Sequence, residues 1–144
     1  MTCSSLGLLT LRIVTCVLVV AFLSGCEPHV VISVDENVPP NFNFYGRGTV
    51  PFFVVLEIGE QDSSGRTKYT TLWEIKPNST KTGTVPFGPI TYGTVPTGWT
   101  QTVPARGTPP PLAEGHFYHA GGPEFEMPEG VAKFRISGGK VVRY

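Results

Sequence analysis

The chain has 144 residues, 40% of them apolar, with nine Phe, five Tyr and two Trp, and acidic and basic side chains in equal number. That is one domain's worth of chain, too apolar and too aromatic to be disordered. Its lysines and arginines are few and scattered, which argues against nucleic-acid binding driven by phosphate charge.

Residues 1–12 carry a single basic residue, Arg12, and the stretch from Ile13 to Leu23 is apolar except for Thr15 and Cys16. A run of about eleven residues is short of the roughly twenty that a spanning helix needs, and it ends on small residues, as a cleaved secretory signal does. Extending it back to Leu6 would bury Arg12 in the bilayer, which is costly. Cys3 and Cys16 fall inside this segment, so Cys26 is the one cysteine left after it. A lone cysteine in an exported chain makes no internal disulfide and needs another purpose.

Leu23-Ser24-Gly25-Cys26 resembles the lipobox of bacterial lipoproteins. The resemblance implies a signal helix over residues 1–25, cut between Gly25 and Cys26, with a thioether from the Cys26 thiol to diacylglycerol. Small Ser24 and Gly25 would give a peptidase access to the backbone. More than one acyl chain on Cys26 would supply the two lipid signals that stable anchoring needs. In enteric bacteria an Asp after the cysteine favours retention at the inner membrane. Glu27 is not that signal, so the resemblance implies the cell envelope, at the outer membrane facing the periplasm.

Residues 26–144 read as a single β domain. Val30 to Val34 is short and rich in β-branched residues. Asn41 to Tyr45 alternates, placing Phe42 and Phe44 on one face. Phe52 to Ile58 is apolar except for Glu57, as suits a central strand buried on both faces. Gly59 to Gly65 reads as a hairpin loop, and Tyr69 to Ile75 as its partner strand. Strict alternation there puts Tyr69, Thr71, Trp73 and Ile75 together. The stretch 76–115 is rich in Pro, Gly and Thr, and its prolines forbid a long central strand. Short β pieces are expected at Ile90 to Tyr92 and at Trp99 to Val103. His116 to His119 is a further short strand. Val131 to Ile136 and Lys140 to Tyr144 flank Gly138-Gly139, a strong hairpin signal.

About eight short strands with no sustained helical period predict a small all-β sandwich, immunoglobulin- or fibronectin-like, after the signal helix. The cysteine pair of antibody domains is absent. Leu72-Trp73-Glu74-Ile75 and Ile90-Thr91-Tyr92-Gly93 resemble stretches of small bacterial lipoproteins with no assigned activity, and no activity follows from that. Gly-Thr-Val-Pro stands at 48–51, 83–86 and 93–96, and Thr-Val-Pro again at 102–104. Valine before proline is held extended, so each copy is a strand entry or, alternatively, part of a polyproline-like binding surface.

Chemistry is harder to place. His116 and His119 are an odd number of residues apart, so a straight strand sends them to opposite faces. With Glu114, Glu124, Glu126 and Glu129 they match no zinc spacing. No Ser lies in Gly-x-Ser-x-Gly, and no Gly-rich loop opens a helix. No catalytic residue, metal ligand or cofactor is assigned. The expected function is a non-enzymatic envelope lipoprotein, anchored through Cys26 and serving a structural or protein-interaction role toward an envelope protein or the cell wall. Tyr92, Trp99 and Arg106, in the Pro-rich segment from Ile90 to Pro111, are the candidate interaction residues, since aromatic and Arg side chains dominate hot spots. One alternative is a carbohydrate- or ligand-binding module that stacks its ligand on Trp73, Tyr92 or Trp99. Another is a hydrolase or metal-dependent enzyme built on the two histidines and nearby carboxylates.

Overall fold

The computed structural model describes residues 30–122 and 130–144. The lipobox, His29, Glu124, Glu126 and Glu129 lie outside the described residues, as does the expected signal helix. Eleven strands are described: β1 (Val30–Val34), β2 (Asn41–Gly46), β3 (Gly48–Thr49), β4 (Phe53–Gln61), β5 (Thr67–Pro77), β6 (Thr84–Val85), β7 (Ile90–Thr91), β8 (Trp99–Val103), β9 (Phe117–Gly121), β10 (Val131–Ser137) and β11 (Lys140–Arg143). They form a six-stranded antiparallel sheet in the order β11-β10-β9-β4-β5-β8, a three-stranded sheet β1-β2-β7, and a two-stranded ribbon β3-β6. The chain is an all-β sandwich, as the spacing of its short apolar runs predicts.

The two larger sheets meet through aromatic rings. Phe42 and Phe44 of β2 reach Phe53 of β4, with ring centroids 4.9 and 5.3 Å apart, and Phe42 also lies 5.9 Å from Phe134 of β10. Phe53 is in turn edge-on to Trp73, which is edge-on to Tyr92. Phe42, Phe53, Trp73 and Phe134 are all fully buried. Each such ring contributes roughly 2–3 kcal/mol by leaving water, and tilted pairs add about 0.5–1.5 kcal/mol. This shared core sets the register: one residue of slip would turn every ring to solvent.

The central strand is β4, paired with β5 on one side and β9 on the other. The strand continues past the expected loop start through Gly59, Glu60 and Gln61, so the hairpin connection shrinks to the residues around Asp62 to Arg66. There the Asp62 carboxylate accepts from the backbone N–H groups of Ser64 and Arg66, an Asx-type turn. The β10–β11 hairpin turns on Gly138 and Gly139, both at positive φ (62° and 72°), as a two-residue primed turn demands.

The expected face of β5 needs correction. Val55 pairs with Trp73, but the next residue, Leu56, pairs with Thr71. Leu72 is therefore an extra residue in β5, a β-bulge. It reverses the alternation. Trp73 and Ile75 point into the core, while Tyr69 and Thr71 share the outer face with Ile58 and Leu56.

Two copies of Gly-Thr-Val-Pro find each other. Gly48 pairs with Val85 and Thr49 with Thr84, forming the β3–β6 ribbon. The backbone there is very close: a Cβ on Gly83 would sit 2.6 Å from the Val50 carbonyl oxygen. The repeat at these two sites is an edge-strand device rather than a free extended surface.

Candidate functional site

The Pro-rich segment is fastened down from beneath. The indole N–H of Trp73 donates to Gln101 Oε1 at 2.9 Å, and Gln101 Nε2 donates to the carbonyls of Pro104 and Gly107. Tyr92 Oη donates to the Pro110 carbonyl at 2.7 Å. Tyr118 Oη accepts from the Ala113 N–H at 2.8 Å. Pro109 is buried and Leu112 packs against the core. The loop thus caps the sandwich.

This decides where the expected interaction residues stand. Tyr92 and Trp99 are each only 7% exposed, Tyr92 against Trp73 and Trp99 against Phe87. Burial pushes the Tyr92 phenol well above its ordinary value. Trp73 is fully buried. None of the three offers a ring to a ligand, so a stacking platform built on them is not present. Their partners are the core and the loop carbonyls, which spacing alone does not reveal. Arg106 is exposed in the loop that Gln101 holds.

The histidines separate. His116 Nδ1 meets Glu57 Oε1, joining the entry of β9 to β4. His119 lies on the outer face, its ring 5.9 Å from that of Tyr69. Among the described residues, no three His, Cys, Asp or Glu side chains come together to hold a metal ion.

What the sequence reading missed is the outer face of the six-stranded sheet. Pairing builds two rungs across it. One runs Tyr69, Ile58, Phe117, Arg135, Val142. The next runs Thr71, Leu56, His119, Lys133, and closes with Tyr144, whose N–H donates to the Lys133 carbonyl. Seven large hydrophobic side chains are exposed among the described residues, and four of them are here: Tyr69, Phe117, Val142 and Tyr144. Phe117 and Tyr144 meet edge-on at 5.3 Å, and the Arg135 guanidinium lies 5.9 Å from the Phe117 ring centre. A shallow recess of about 500 Å³ is lined by Leu56, Tyr69, His119, Val131 and Lys133. Partial burial and the Lys133 charge hold the His119 imidazole below its ordinary value.

No family model, curated protein or solved structure matches this chain. The face must be read on its own chemistry. It presents flat rings, apolar side chains and two cations, Lys133 and Arg135. Such a surface binds by stacking, apolar burial and attraction for anions. Among the described residues, no helix is long and apolar enough to cross a membrane; this says nothing about strands.

Proposed function

We propose that this chain is a cell-envelope lipoprotein, anchored through lipid on Cys26, whose β-sandwich binds an envelope partner through the outer face of the six-stranded sheet. The anchor rests on the lipobox resemblance at Leu23 to Cys26. The binding role rests on one observation: exposed Tyr69, Phe117 and Tyr144 gathered on one sheet face with Arg135 and Lys133. Isolated exposed apolar residues are ordinary, whereas a contiguous patch rimmed by charge is how interaction surfaces look. The cations favour a partner with acidic groups.

The test places a photo-crosslinking residue at position 69, 117 or 106 in cells carrying the lipidated protein. Adducts from positions 69 and 117, with none from 106, support the sheet face. Adducts from 106 alone would return the interaction site to the Pro-rich loop. A second reading, a carbohydrate-binding face, draws on the same rings, since Tyr and Phe on a sheet can stack against sugars. Adducts that carry glycan rather than protein would favour it.

A further inference from the structure

Only Glu27, Pro28 and His29 separate Cys26 from Val30, the first residue of β1. Covalent geometry limits four Cα steps to about 14 Å, whatever path they take. Lipid on Cys26 would therefore hold the start of β1 close to the headgroups, too close for the domain to hang free.

What else lies at that end follows from pairing. Val30 pairs with Gly46 and Val31 with Tyr45. Partners across antiparallel strands are about 5 Å apart, so Tyr45 and Arg47 stand at the height of Val30. Tyr45 is 55% exposed and Arg47 is exposed as well. Tyr is enriched at membrane interfaces because one end is apolar and the other wet. A guanidinium matches phosphate oxygens. These are suitable groups to meet a headgroup layer, and they sit where a short tether would press them.

The direction of the strands fixes the rest. β1 leads away from Val30 to Glu36, whose carbonyl accepts from the Val141 N–H, beside the Gly138-Gly139 turn. That turn is at the far end. β10 runs toward it from Val131, which pairs with Gly121; Gly121 also pairs with Val54 near the start of β4. β4 therefore also runs away from the tethered end. Its nine residues span about 30 Å at the usual rise. The tip around Ser64 then stands farthest from the tether.

We infer that the sandwich end bearing Val30, Tyr45 and Arg47 rests on the lipid headgroups, with the six-stranded sheet upright and its outer face turned sideways. The inference depends on lipidation at Cys26. It explains how a face carrying Tyr69 and Phe117 stays open to a partner standing beside it on the same membrane.

The mature chain has no cysteine other than Cys26, so single nitroxide labels can be placed by Tyr45→Cys, Arg47→Cys and Ser64→Cys in the lipidated protein. The vesicles would be phosphatidylethanolamine and phosphatidylglycerol, with a small share of nickel-chelating headgroups. Labels at 45 and 47 should relax much faster when nickel is added, and the label at 64 should not change. Equal enhancement at all three sites would mean a domain swinging freely, overturning the orientation while leaving the anchor intact. Greater enhancement at 64 would reverse the orientation. Protein that washes off the vesicles, with a mass lacking acyl chains, would remove the anchor and the orientation together.

Discussion

Trp73 is fully buried and is held both by rings and by its bond to Gln101. Trp73→Ala leaves a large cavity and strands Gln101, so it should cost about 3–5 kcal/mol in urea unfolding. Tyr92→Phe keeps the ring and removes the hydroxyl that satisfies the Pro110 carbonyl. Its cost should be smaller, about 1–2 kcal/mol, with faster amide exchange in the loop. The outer face should behave in the opposite way. Tyr69→Ser and Phe117→Ser remove half-exposed side chains, so each should cost only about 1 kcal/mol while abolishing partner crosslinks. Titration gives a further sign. Burial first, and then Lys133, depress the His119 pKa below its ordinary 6.5. The folded state thus binds that proton less readily than the unfolded chain, and the associated stability is whole above pH 6.5 and is lost as pH falls below it. Stability of the His119→Gln variant, followed by urea midpoint between pH 5 and 7.5, should depend less on pH than that of the parent.

At the scale of elements, periodicity carried most of the fold. The runs at Val30 to Val34 and Trp99 to Val103 are strands with the bounds that their β-branched and aromatic residues suggest. Phe42 and Phe44 face the core together, as alternation requires. The C-terminal hairpin turns at its Gly-Gly pair. Part of the candidate site was also legible. Phe117 and His119, and Lys133 and Arg135, are two residues apart around buried Tyr118 and Phe134. Two things were not legible. The bulge at Leu72 leaves no mark in a single sequence, yet it alone brings Tyr69 to this face. Cross-strand register, which lines the pairs up into rungs, depends on contacts between residues far apart in the chain. For the same reason Tyr92 and Trp99 looked available in a loop, when long-range packing holds them. The β3–β6 ribbon supplies its own test. Gly83→Ala would push a methyl into the Val50 carbonyl, and overpacking of that kind should cost about 1–3 kcal/mol by urea unfolding.

For the whole molecule, the proposed anchor at Cys26 precedes the first described strand. The described core is built from residues of β1 onward. Cys26→Ala should therefore leave the urea midpoint of the domain unchanged but release the protein from membranes in a high-salt wash. An upright sandwich held by a tether of three residues would offer its sheet face to neighbours on the same surface, which suits a scaffolding or assembly role better than capture of a distant ligand. All of this depends on the lipid. The most direct measurement is the intact mass of the protein extracted in detergent from its native membrane. Cleavage before Cys26 and lipidation of its thiol should give the mass of residues 26–144 plus acyl chains. The mass of the full precursor, or of a mature chain without lipid, would contradict that expectation.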